Sequence, residues 1–287
     1  MVLHRIRMCL KKAGRLKNHP RTLLIVTCKK ENGGDVPPPP PPQEPPAPTV
    51  LLKEIVIPNL PSPYYHFEYD ATGRANFVSF ASDFTRYSLV YDNAGKLIEM
   101  RNNILDNRDT VRYFYDNSGR ATAVNYIDIT GSVYIKVALS YNGQKLIKLE
   151  RFRLLGSDFV LNKTLTFTYY NDGNLMTVTD HRPFVENRQS ESTDILRFEN
   201  YDSNINVDAF DLLHHDFFDH LVLLPGIRLQ KNNPRKEIFT GFNSYTATLT
   251  YTYDDKHQPL TKTGDVLFTG GPVTGQRFQT NSTYTYY

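Results

Sequence analysis

A chain of 287 residues with 40% hydrophobic and only 22% charged side chains, 19 Tyr and 17 Phe included, is too apolar and aromatic to be disordered. Its formal charge of +3 conceals an uneven distribution, because nine of the 33 Lys and Arg precede residue 31, where there is no acid, leaving 24 bases against 30 acids in the rest. That mildly acidic body excludes the basic footprint of a nucleic-acid binder, and no apolar run reaches the ~20 residues a membrane-crossing helix needs.

The chain divides into three stretches. Residues 1–28 read as a leader: basic residues, then Leu23-Leu24-Ile25-Val26-Thr27-Cys28, then Lys29-Lys30-Glu31. This order resembles a bacterial lipoprotein signal with Cys28 as the lipidated residue, although the apolar core is shorter than the about 7 to 15 residues such signals carry. The alternative is a misplaced start with a lone buried cysteine. Both cysteines, Cys9 and Cys28, lie in this stretch, so the body has neither a disulfide framework nor a thiol nucleophile. Residues 29–49, with Pro37 to Pro42 unbroken, read as an extended polyproline tether.

From residue 50 onward one phrase recurs. Tyr69-Asp70-Ala71-Thr72-Gly73-Arg74 is followed by Tyr91-Asp92-Asn93-Ala94-Gly95-Lys96 and Tyr115-Asp116-Asn117-Ser118-Gly119-Arg120, with weaker copies at Tyr141, Tyr170, Tyr201 and Tyr253. Repetition at this period signals repeated supersecondary units. An Asp that caps the turn and a Gly that takes a left-handed conformation make each unit a β-hairpin, so Asp70, Gly73, Asp92, Gly95, Asp116 and Gly119 read as structural turn residues. Flanking runs such as Arg86–Tyr91 and Thr248–Tyr253 alternate with period two. About fourteen to sixteen strands are expected, too many for a flat open sheet. The expected fold is all-β: a curled antiparallel β-meander of hairpin repeats, partly closed, with one helix packed on the sheet.

That helix is placed near 206–223. Val207, Phe210, Leu213, Phe217, Leu221 and Leu224 recur at helical spacing, Asn206 is a capping residue, and Pro225-Gly226 ends the run.

Three chemistries are open to the body. Asp211, His215 and Asp219 at i, i+4 and i+8, with Asp216 and His220 as a second pair, offer metal ligands on one helix, against the plainer reading of a solvated polar face. Carboxylate pairs for glycoside hydrolysis need a cleft that the sequence does not define, and Asp70, Asp92 and Asp116 already have turn roles. Tyr65, Phe210 and Phe217 are candidates for ligand contact, although period-two aromatics serve a sheet core equally well. No phosphate loop, dinucleotide fingerprint or nucleophile elbow occurs.

The Tyr-Asp-x-x-Gly-Arg/Lys units resemble the YD repeats of the RHS and teneurin class. Together with Cys28, the tether, Asn232-Asn233-Pro234 and the Tyr-Thr-Tyr ending at Tyr284 to Tyr287, they resemble the small YD-repeat lipoproteins of Bacteroidota, a domain family of unknown function. The resemblance implies a lipid-anchored protein of the outer membrane or cell surface, with a periplasm-facing position as the alternative. The expected function is a non-catalytic binding or adhesive module, for glycan or another envelope component. The alternative is a carrier holding an apolar ligand between curled sheet and helix. No cofactor, no nucleic acid and no enzymatic activity is expected. The membrane, through the lipid anchor, is the expected partner, and the chain is expected to be a monomer.

Overall fold

The protein is described here from a computed structural model, which describes residues 50–104, 108–213 and 222–287. The leader, the tether and Cys28 lie outside them. Alternation and turn chemistry produce β1 (Leu52–Val56), β2 (Tyr65–Tyr69), β3 (Ala75–Phe80), β4 (Thr85–Tyr91), β5 (Leu97–Asn102), β6 (Thr110–Tyr115), β7 (Ala121–Ile127) and β8 (Val133–Asn142). There follow β9 (Lys145–Leu155), β10 (Asp158–Tyr169), β11 (Leu175–Arg182), β12 (Ser192–Glu199), β13 (Lys236–Thr240), β14 (Tyr245–Tyr253), β15 (Pro259–Phe268) and β16 (Arg277–Tyr286).

Every strand pairs antiparallel with its neighbours in sequence, and β1 pairs with β16, so the sheet closes into a barrel. The expected partly closed meander is therefore corrected. Accumulated strand twist brings the ends together, and pairing Ile55 with Tyr284 removes both exposed edges. Beyond the ladder, the Tyr287 N–H donates to the Leu51 carbonyl at 3.1 Å.

Period two sorts the side chains. Val78, Tyr87, Met100, Val111 and Val124 are fully buried inside the wall, and cross-strand pairs such as Val78 with Tyr87 and Met100 with Val111 continue this face around the barrel. The outer face is polar: Thr168 meets Thr177 and Thr252 meets Thr261 at 2.5 and 2.7 Å, and Glu99 pairs with both Arg101 and Arg112. Large apolar side chains are also exposed on strands, among them Phe114 on β6, Ile147 on β9, Ile195 on β12 and Leu260 on β15.

The expected helix near 206–223 is also corrected. Among the described residues this stretch contains one 3₁₀ turn, Ala209–Leu213, and residues 214–221, with Phe217, lie outside them. Asn206 does cap that turn, its Oδ1 accepting from the Asp208 and Ala209 N–H groups at 3.2 and 3.0 Å. The apolar spacing has another cause. Phe210 meets Tyr65 and Phe67 edge-on at 5.0 and 5.1 Å, while Val222, Leu224 and Leu229 join the core. The described parts of the β12–β13 connection thus fold inward as a plug, with Phe210, Val222, Leu224 and Leu229 as its anchors in the barrel.

The recurrent phrase falls at one end of the barrel, between β2 and β3, β4 and β5, β6 and β7, and their later counterparts. In the three full units a bulge precedes the Tyr, the Asp carboxylate accepts two backbone N–H bonds, and the Gly takes a positive φ: at Asp92 the donors are Ala94 and Lys96, and Gly95 sits at +79°. The tyrosine has a separate task. Tyr91 donates to the Ala75 carbonyl, Tyr115 to Leu97, Tyr141 to Ala121 and Tyr169 to Leu146, at 2.5 to 2.7 Å, so each unit is tied to the one before it. The basic residue points the other way. Arg74 lies over Tyr91, Lys96 over Tyr115, Arg120 over Tyr141 and Lys145 over Tyr169, 4.9 to 5.5 Å from the ring centres.

Asp128 and Gly131 make the same turn at the opposite end without a preceding Tyr, so the turn itself does not need the ring. Tyr115→Phe is expected to cost about 1 kcal/mol in denaturant unfolding, because the Leu97 carbonyl loses its partner while the ring still packs. Burial pushes the Tyr115 and Tyr141 hydroxyls up to about 12. A raised folded value means this contribution is intact below pH 10 and is lost as pH climbs through about 12.

Candidate functional site

One region of the interior is less completely filled. The residues around Ala247, Leu249, Tyr251 and Val266 form a small apolar cluster apart from the main core. Strand register explains what faces them: Glu237 lies opposite Ala247, Phe239 opposite Tyr245, Tyr245 opposite Phe268, Tyr251 opposite Lys262 and Val266 opposite Phe278. All of these side chains but Tyr251 line a cavity of about 330 Å³ between β13 and β16, together with Asn243 and Thr280. Gly264, opposite Thr280 in the ladder, has no room for a side chain, since a Cβ there would come within 2.5 Å of the Thr280 hydroxyl.

The walls are aromatic. Phe239 stacks on Tyr245 at 5.3 Å, Tyr245 meets Phe268 edge-on at 6.2 Å, and Phe268 stacks on Phe278 at 5.7 Å. Phe278 is 47% exposed and stands at the mouth, by the β15–β16 connection and away from the Tyr-Asp turns.

Two charged groups line the cavity. The Tyr245 hydroxyl donates to Glu237 Oε1 at 2.5 Å, and burial raises the Glu237 carboxyl above its ordinary value. Lys262 is bound at 2.6 Å to Asp208, which also accepts from Tyr284 at 2.7 Å and from Asn206 Nδ2 at 3.1 Å. Burial works against the Asp208 charge, but the Lys262 ammonium and these hydrogen bonds hold its carboxyl below the usual range. The same pairing lifts Lys262 above its own, against the burial that opposes it. Asp208 belongs to the plug, so the plug holds in place the ammonium that lines the cavity.

The residues singled out from the sequence lie elsewhere. Of the metal candidates, Asp211 is in the 3₁₀ turn and accepts a hydrogen bond from the Tyr65 hydroxyl, while His215, Asp216, Asp219 and His220 lie outside the described residues. Among the described residues no group of three His, Cys, Asp or Glu is placed to hold a metal. Tyr65 and Phe210 contact each other inside the barrel and serve its packing. Asp70, Asp92 and Asp116 each sit in a turn, accepting backbone N–H bonds. Sequence reasoning passed over Glu237, Tyr245 and Lys262. A charged residue in phase with the buried face of a strand was the available signal: Lys262 lies opposite Tyr251 in a strand whose neighbour reads Tyr-Thr-Ala-Thr-Leu-Thr-Tyr.

No family model matches the chain, and no curated protein matches it. Solved structures do. A porin-like protein from Bacteroides uniformis superposes with a TM-score of 0.52 at 15% identity, over 78% of this chain and 90% of that one. A porin-like protein from Bacteroides vulgatus gives 0.52 at 17% identity, over 83% of this chain and 99% of that one. What they share is the fold. The resemblance to YD-repeat, RHS-like lipoproteins is corrected accordingly, because the matching structures are porin-like and no family model supports the repeat family or its lipoprotein class. The phrase that carried it specifies a turn, a hydrogen bond and a ring contact, which any barrel of tied hairpins can use.

Proposed function

We propose that this barrel is a non-catalytic binding module of the outer membrane or cell envelope that takes a small ligand into the aromatic-walled cavity between β13 and β16. The likeness to porin-like barrels supports a transport or binding role at the outer membrane. The observation that favours binding over conduction is the polarity of the wall. A barrel that conducts through lipid is apolar outside and polar within, whereas here Thr, Arg and Glu ladders face outward and Val78, Tyr87, Met100 and Val124 fill the interior. Such a wall favours water outside and a ligand site inside.

The purified protein is expected to stay in solution without detergent and to leave planar bilayers non-conducting. A requirement for detergent together with stepwise conductance would overturn the reading. A second reading, an apolar-ligand carrier, is favoured by a groove of about 410 Å³ between the plug and the Tyr-Asp turns, lined by Leu89, Leu97, Tyr115, Phe210 and Leu224. Native mass spectrometry of the same detergent-free sample separates the two, since the carrier reading requires a co-purifying lipid.

A further inference from the structure

We infer that the cavity between β13 and β16 is a site for a small organic cation, an alkylated or quaternary ammonium group, held by the Glu237 carboxylate beside the aromatic wall that Tyr245 and Phe268 belong to. The inference rests on the reading of this cavity as a ligand site and names what the site takes.

Lys262 and Asp208 are bound to each other at 2.6 Å, so together they bring no net charge to the cavity. Glu237 differs. Among the described residues it joins no ion pair, and its hydrogen-bond partner is the neutral Tyr245 hydroxyl. An ionised carboxylate in a confined, largely apolar space lacks a counter-charge there. Burial raises the Glu237 carboxyl, and the Tyr245 hydrogen bond and the Lys262 ammonium, itself bound to Asp208, offset that only in part. An arriving cation would supply the missing charge, and an arriving anion would meet a carboxylate and an ammonium already neutralised by Asp208.

The walls point the same way. Aromatic faces carry negative charge above the ring and attract cations, most of all when water is excluded. Phe239, Tyr245, Phe268 and Phe278 follow one another at centroid distances of 5.3, 6.2 and 5.7 Å, a continuous aromatic surface on the side of the cavity that holds Glu237. A neutral sugar would want several hydrogen-bonding side chains around its hydroxyls. Here Asn243 and Thr280 are the uncharged non-aromatic polar residues among the lining. The volume of about 330 Å³ admits an ammonium head with a short chain.

Choline chloride, the uncharged isostere 3,3-dimethylbutan-1-ol and methyl glucoside, each titrated into the full-length protein at constant ionic strength, test this by calorimetry. Choline is expected to bind at least tenfold more tightly than the alcohol or the sugar. Glu237→Gln, which preserves the Tyr245 hydrogen bond, is expected to remove that tenfold advantage without lowering the melting temperature. Should Glu237→Gln fail to fold, Phe268→Leu serves instead, weakening choline more than the alcohol. Equal binding of choline and alcohol, or tighter binding of the sugar, would overturn the cation assignment and leave the cavity as a ligand site. If none of the three ligands binds, both readings fall.

Discussion

Asp208→Asn is expected to lower the stability of the barrel by about 3 kcal/mol, the largest loss from any single polar substitution considered. The substitution leaves the Lys262 ammonium inside the wall without the carboxylate that now lies 2.6 Å away, and an uncompensated interior charge costs about 3 to 5 kcal/mol. The side chains of Lys262 and Asp208 are 27% and 13% exposed, so the lower end of that range applies. Removing both charges is a different matter, because a buried pair replaced by apolar groups of similar volume is often neutral. Asp208→Asn with Lys262→Met should therefore be much closer to wild type than Asp208→Asn alone in urea unfolding. A double variant as unstable as the single would show that the hydrogen bonds from Tyr284 and Asn206 carry the effect instead of the charge. The pH dependence has a defined sign on each side. The Asp208 carboxyl lies below its ordinary 3.8 in the fold, so its contribution is present above that value and fades as pH falls below it. Lys262 lies above its ordinary 10.5, so its contribution is intact below that value and fades in stronger alkali.

Phe210→Ala should cost about 2 to 3 kcal/mol, and the loss should be local. The ring meets Tyr65 and Phe67 edge-on, and truncating a well-packed phenyl group removes about 3 to 5 kcal/mol when burial is complete. Phe210 is only partly buried, which sets the smaller figure. The plug has its own backbone bonds, from Asn206 N–H to Lys231 and from Ile227 N–H to Leu224, while the wall is held by strand ladders that the substitution does not touch. Hydrogen exchange should accelerate at Asn206, Asp211 and Ile227 and stay slow at Met100 and Val124. Phe242→Ala, at a ring that is 77% exposed, should change neither. Equal acceleration in plug and wall would mean that the two open as one unit.

The hairpins were readable because their determinants are local. Asp92 and Gly95 meet within one turn, and the alternation of Arg86 to Tyr91 needs only one buried face. The partner of each tyrosine was not readable, because Tyr115 reaches back 18 residues to a carbonyl whose position depends on sheet curvature. The degenerate unit near Tyr170 illustrates this: its turn was recognised, yet Tyr169, one residue earlier, makes the bond to Leu146. Closure was out of reach for a related reason, since an open curl and a barrel share the same hairpins and differ only in whether β1 meets β16. The helix expected near 206–223 failed because an interval of three or four between apolar residues is equally the interval at which a winding segment drops anchors into a core. The cavity residues were hidden by strand β13, Lys-Glu-Ile-Phe-Thr, where polarity gives no clear alternation and register alone puts Glu237 and Phe239 inside.

The seam between β1 and β16 has a consequence for how the barrel assembles. All other neighbouring strands are consecutive in the chain, and all but β12 and β13, which the plug separates, can form as local hairpins; the seam joins residues more than two hundred positions apart, so its loop-closure entropy is met last. Until then the nascent sheet is a ribbon with two bare edges, each a template for pairing with another copy. The seam is therefore where misassembly competes with folding. The bond between Leu51 and Tyr287 also brings both ends of the barrel together, so linking them and reopening the chain at a distant hairpin such as Gly156 moves the late step to a new pair of strands without altering the finished wall.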